Sequence, residues 1–146
     1  MTTTLVLTLA AILALLLASA FFSGSETALT AASRSRLHHL AQRGNAKALL
    51  VERLIARRER MIGAILLGNN AVNILASALA TSLMIGVFGE AGVAYATIAM
   101  TALIFVFAEV LPKTAAIRNS ERIALVVGPI LRPVVAVLAP AVAAVE

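Results

Sequence analysis

Apolar positions along this chain come in long unbroken runs, with charged and turn-forming residues gathered between them. Leu5 to Phe22 carries no charge, and about 20 helical residues at about 1.5 Å each cover a hydrocarbon core of roughly 30 Å. Residues 1–33 therefore read as a first membrane span with its extension. Residues 61–88 are also uncharged and read as a second span, although Asn69, Asn70 and Asn73 interrupt them. Residues 91–112 read as a third. Gly89, Glu90 and Gly92 form a short turn that makes spans two and three an antiparallel hairpin, and Pro112 and Lys113 are expected to close the third span.

The connector 34–60 has a helical pattern. Leu29, Leu37 and Leu40, then Leu50, Leu54 and Ile55, recur at helical spacings, and Gly44 and Asn45 supply a turn. The expectation is a helical hairpin whose apolar stripe lies against the membrane face or a partner, or else a solvated basic helix pair. Residues 118–146 are apolar enough for a fourth crossing, but Pro129, Pro133 and Pro140 interrupt them and Arg132 sits in the middle. A broken juxtamembrane helix along the cytoplasmic interface is expected instead. The fold class is thus an all-α membrane protein of three transmembrane helices, a cytoplasmic helical hairpin and a C-terminal juxtamembrane helix.

Composition strengthens this reading: 61% of the 146 residues are hydrophobic and 13% are charged, against about a quarter charged in soluble domains. With no Cys and no Asp, disulfide scaffolds, thiolate metal sites and aspartate-pair chemistry drop out. Eight of the twelve basic residues, Arg34, Arg36, Arg43, Lys47, Arg53, Arg57, Arg58 and Arg60, lie in the one connector. Short loops rich in Lys and Arg stay in the cytoplasm, so a plasma (inner) membrane protein with its N-terminus outside and its C-terminus inside is expected. The net charge of +5 is then a topology signal, with Arg53, Arg57 and Arg60 at anionic headgroups, and no nucleic-acid partner is implied. Ala18, Ser19 and Ala20 resemble a signal-peptidase site, but Met1 to Thr4 has no basic residue, so span one is read as retained.

Polar groups inside spans are costly unless they face protein, water or an ion. In span one, Ser19, Ser23, Glu26 (or Thr27) and Thr30 share a face. In span two, Asn69, Asn73, Ser77 and Thr81 repeat every four residues with Asn70 beside them, and in span three Thr97, Thr101 and Glu109 fall close to one side. The three stripes can converge on one axis. Glu109 is the carboxylate within a span, and the competing reading pairs it with Lys113 one turn on. Pro112 lacks the N–H that would bond the Ala108 carbonyl, which frees an oxygen beside Glu109, and Gly24 lets span one distort beside Ser23. An all-oxygen donor set suits Mg²⁺, Na⁺ or Ca²⁺ better than zinc or copper.

Three segments, Phe22-Ser23-Gly24-Ser25-Glu26-Thr27-Ala28, Gly68-Asn69-Asn70-Ala71-Val72-Asn73 and Ala108-Glu109-Val110-Leu111-Pro112-Lys113-Thr114, together resemble the transmembrane domain of the CNNM/CorC magnesium transporter family. The resemblance covers nearly the whole chain, with Ala108 standing where the family usually has Gly. It implies a homodimer that transports Mg²⁺, in the export direction and in possible exchange for Na⁺, with a largely dehydrated ion in each subunit. Carried onto this sequence, it implies Ser23, Asn73 and Glu109 as ligands, with Gly24, Ser25, Asn69 and Asn70 around them. It also implies cytosolic nucleotide-binding regulatory domains in the full-length protein. Independently, the one-turn pairs Ala76 and Ala80, and Gly92 and Ala96, could serve dimerisation or packing within a subunit. An enzyme is not expected: Ser23-Gly24 matches half of a rhomboid motif, but no His lies in a span to act as base. A membrane scaffold without transport activity is the alternative.

Overall fold

Two antiparallel helical limbs and a third helix laid against them form the membrane part of the chain in the computed structural model, which describes residues 2–145. Helix α1 spans Thr2–Ala31, and α2 (Arg34–Gln42) and α3 (Ala46–Ala56) form the hairpin. Helix α4 runs Arg58–Phe88, a 3₁₀ turn covers Gly89–Ala91, and α5 (Gly92–Leu103) leads into a π-helical segment, Ile104–Val110. Helices α6 (Leu111–Arg118) and α7 (Ser120–Val145) complete the chain.

The hairpin between α4 and α5 forms where the sequence places it. Gly89 adopts φ +69°, a conformation that favours glycine, and its N–H caps the Ile85 carbonyl. Gly92 then lets the two limbs touch, because a Cβ there would collide with the Met84 and Ile85 backbone. Buried Ala76, Ala80, Ala96 and Met100 continue this close approach, as small residues do between helices in lipid, where van der Waals packing replaces the hydrophobic drive. The small-residue pairs are thus used for packing within the subunit. Large apolar side chains such as Leu13, Leu17, Ile74, Ile98, Phe105 and Phe107 point outward and give the bundle its lipid-facing surface.

Ser33 and Asn45 cap α2 and α3 with their side chains, accepting from the Arg36 and Ala48 N–H groups, and Gly44 takes the left-handed turn at φ +92°. The hairpin's apolar stripe does not face lipid or a partner. Leu37, Val51 and Ile55 are buried with Ala28 and Leu29 of α1 and with Ala124, Val127 and Leu131 of α7. The stripe meets the chain's own C-terminal helix, whose buried face supplies the area; each such aliphatic side chain stabilises by about 1.5–3 kcal/mol.

Helix α7 is continuous through Pro129, Pro133 and Pro140, which corrects the expected broken helix. All three prolines lie on one exposed stripe, opposite the buried residues Ala124, Val127, Gly128, Leu131 and Val135. The carbonyls they free therefore fall on the outer side while packing holds the inner side helical. Although α7 is long and apolar enough to cross a membrane, its neighbours all sit at the basic end of the bundle. Glu121 accepts the Ser33 N–H, Gly128 packs on Val51, and Val142 lies over Gly63 at the start of α4. That places α7 along the connector end of α1 and α4. The Glu121 carboxyl is held below the usual carboxylate range, first by its own backbone N–H and then by that of Ser33.

A candidate cation site on three helices

Helix α1 packs against α4, the π segment and α6 at once, so its polar face is read by both limbs. Ser19 donates from Oγ to Asn69 Oδ1 at 2.8 Å, and one turn inward the Phe22 ring fills the space above Gly68, where a Cβ would come within 2.8 Å. Ile12 clusters with Ala76 and Ala80 on one side of this bond, and Leu29 with Met61 and Ile65 on the other. The two helices are therefore antiparallel with a fixed register.

Register decides which oxygens can share one ion. Ser23 lies four residues from Ser19 toward the basic end, whereas Asn73 lies four residues from Asn69 in the opposite direction, so the two are roughly 12 Å apart along the axis. On the other side, Gly24 faces Pro112, where a Cβ on the glycine would make ordinary van der Waals contact. Glu109, three residues before Pro112, falls at the height of Phe21, between Ser19 and Ser23. Glu109 thus lies between the heights of Ser19 and Ser23, with Asn69 at the height of Ser19. The structure sets Asn73 at the next level outward and leaves Asn70 exposed on α4. Ser19 is the residue of this group that sequence reasoning placed on the right face without including it among the ligands; the signal was its four-residue spacing from Ser23.

Satisfaction of polar atoms separates these residues further. The threonines mostly spend their hydroxyls on their own helices, Thr81 on the Ser77 carbonyl and Thr97 on the Val93 carbonyl, each at 2.8 Å. Ser23 Oγ, Ser25 Oγ and Asn73 Oδ1 are buried and have no hydrogen-bond partner. An unpaired polar atom in a membrane interior costs several kcal/mol, so three within one bundle call for an occupant that supplies positive charge or protons. Among the described residues no cluster of three His, Cys, Asp or Glu exists. Any ion held here takes neutral oxygens plus the one carboxylate of Glu109.

Glu109 sits half-buried in the π segment, and among the described residues it forms no ion pair, with Lys113 or any other base. The helix does not stop at Pro112. Instead the helix absorbs the proline by widening: the Leu111 N–H bonds the Val106 carbonyl, five residues back, and the chain continues helically to Arg118. The extra residue per turn removes the clash that Pro112 would have with the Ala108 carbonyl in a regular helix. Helix α1, by contrast, is regular through Gly24, and a Cβ there would make ordinary contact with Pro112, so the glycine introduces no distortion and the packing does not require it. From Glu109 a groove of about 430 Å³ runs outward between α4 and α5, lined by Ser77, Thr81, Thr97 and Thr101. Residues of the α4 and α5 stripes line it together, and the α1 stripe reaches the α4 stripe through the Ser19–Asn69 bond.

An all-α bundle with lipid-facing flanks, a buried row of serine and asparagine oxygens and one in-span carboxylate defines a polytopic membrane domain. The chain belongs to the CNNM family: the family model described as the Cyclin M transmembrane N-terminal domain matches residues 10–146. It is 47% identical over 124 residues to the UPF0053 inner membrane protein YfjD of Escherichia coli, covering 85% of this chain and 29% of that protein. A UPF0053 protein of Haemophilus influenzae is 40% identical over 127 residues, covering 87% and 30%. A chloroplastic DUF21 domain-containing protein of Arabidopsis thaliana is 39% identical over 124 residues, covering 84% and 18%. The chain therefore spans about a third or less of the length of these relatives.

Proposed function

We propose that this domain carries a divalent cation, Mg²⁺, across the membrane, with Ser23 and Glu109 as ligands and with Ser19 and Asn69 one turn outward of Ser23. Asn73 serves as the next oxygen outward on the ion's path. The observation that carries this reading is the set of unpartnered buried oxygens on Ser23, Ser25 and Asn73, which flank the height of Glu109 on both sides. Mg²⁺ demands oxygen ligands at about 2.0–2.1 Å in octahedral geometry, so it cannot touch Ser23 and Asn73 at once across roughly 12 Å of rise. It takes them in succession as the bundle rocks, with α1 moving against the α4–α5 hairpin. The resting orientation is N-terminus outside and C-terminus inside, set by the basic connector. Export, exchange against Na⁺ and a homodimeric assembly complete the proposal, as does regulation by cytosolic domains in longer relatives.

A scaffold built on interhelical glue accounts for the Ser19–Asn69 bond and leaves the unpartnered oxygens unexplained. The deciding experiment is Mg²⁺ flux in proteoliposomes, read beside Mg²⁺ protection against thermal unfolding. Ser23→Ala is expected to lower both. Asn73→Ala is expected to lower flux, and to weaken protection less than Ser23→Ala does, with the oligomer intact. Unchanged flux together with a dissociated oligomer in Asn73→Ala would favour the scaffold.

A further inference from the structure

We infer that the basic end of the bundle contains a binding site for a single anionic phospholipid, formed jointly by α3, the start of α4 and α7. A cleft of about 1000 Å³ opens there. Four arginines line it, Arg53 on α3, Arg57 at the joint between α3 and α4, Arg60 on α4 and Arg132 on α7. Among the described residues no carboxylate lines it, so within that lining the four charges are uncompensated. Its remaining walls are apolar, with Leu49 and Leu54 on one side and Val135 and Ala139 on the other.

The combination of charge and wall chemistry specifies the occupant. A planar guanidinium grips a phosphate through two parallel hydrogen bonds, and four of them converging from three elements suit a phosphodiester better than a carboxylate. A free phosphate would leave the leucine walls wet. A diacyl phospholipid fills both parts, with its phosphate among the arginines and the upper acyl carbons along Leu49, Leu54 and Val135. The position agrees: Met61, at the floor of the cleft, opens the uncharged run of α4, so the arginines lie where headgroups lie. Arg132, an obstacle to reading α7 as a crossing helix, has its use here. The lipid would link α7 to α3 and α4, so the site also bears on how firmly the juxtamembrane helix is held. This inference rests on the membrane placement of the bundle and is independent of the cation reading.

The test is native mass spectrometry of the chain released from vesicles of equal parts phosphatidylglycerol and phosphatidylcholine, followed by titration with each lipid. One phosphatidylglycerol retained per subunit is expected, with phosphatidylcholine lost. Arg132→Gln and Arg60→Gln should each weaken retention about fivefold, the effect of one basic residue at an anionic surface. Arg132→Lys keeps the charge and guards against misfolding; it should weaken retention less than Arg132→Gln. Arg118→Gln and Arg122→Gln, outside the cleft, should leave retention unchanged. Equal losses in these two would reduce the effect to general surface attraction and overturn the site. Retention of phosphatidylcholine at the same level would overturn it as well. Inorganic phosphate or glycerophosphoglycerol competing as strongly as the whole lipid would replace it by a soluble-anion site, and displacement by polyglutamate with no lipid retained would replace it by a docking site for an acidic protein segment.

Discussion

Replacing Glu109 by Gln keeps the side chain's shape and removes the charge, which makes it the sharpest probe of the candidate site. Among the described residues the carboxylate has no ion pair, and the oxygens near its height are neutral. Its loss should therefore fall on the bound cation and hardly on the fold. Removing one member of a buried charge pair costs about 3 kcal/mol at the low end, which raises Kd about 150-fold. At Mg²⁺ one hundred times the wild-type Kd, ligand binding stabilises the native state by about 2.7 kcal/mol; after a 150-fold rise in Kd about 0.3 kcal/mol remains. For a chain of this size, 1 kcal/mol moves Tm by about 2–4 °C. The wild type should gain about 5–11 °C on adding Mg²⁺, and Glu109→Gln about 1 °C. The assay is thermal unfolding in detergent, with Na⁺ at matched ionic strength as the control. Equal Mg²⁺ protection of both proteins would refute the reasoning, and protection lost in Lys113→Met would restore the Glu109–Lys113 pair as the relevant interaction.

Cysteines introduced at Thr2 and Gly89 should react with an impermeant reagent from outside the cell; labelling of either from the cytoplasm alone overturns the orientation. Gly92→Val places side-chain atoms against the Met84 and Ile85 backbone and should lower stability by about 1–3 kcal/mol, whereas Gly86→Ala, with open space around it, should be neutral or stabilising in the same unfolding assay. Glu121 has a folded pKa below its unfolded value, so its contribution is present above the unfolded carboxylate range and is lost as pH falls through the folded value. Glu121→Gln should thus lower Tm at neutral pH, with the difference from wild type closing in acid.

The spans were legible because length and charge alone decide them: Leu5 to Phe22 and residues 61–88 contain nothing that must leave lipid except groups that can be paired inside. The turn at Gly89 was legible for the same kind of reason, since glycine and a short polar break admit few backbones. What failed was partner assignment. A stripe such as Leu37, Val51 and Ile55 announces that it will be buried and says nothing about its mate, which proved to be α7. Prolines were misread at Pro129, Pro133 and Pro140 because their cost depends on which face carries them. All three fall on the exposed stripe of a helix held from its other side.

The same distinction governs the site. Asn69 and Asn73 occupy the same stripe of α4 and are equivalent by periodicity; what separates them is the register of α4 against α1, set by the Ser19 bond and by the Phe22 ring over Gly68. Register between two helices far apart in sequence is a tertiary property, so periodicity assigns a residue to a face and does not give its height. Pro112 presents the converse case. Its conflict with the Ala108 carbonyl was visible in sequence, but a helix can answer it by kinking, by ending or by widening. Here Pro112 lies against Gly24 of α1, and the π segment lets the chain continue straight past it to Arg118.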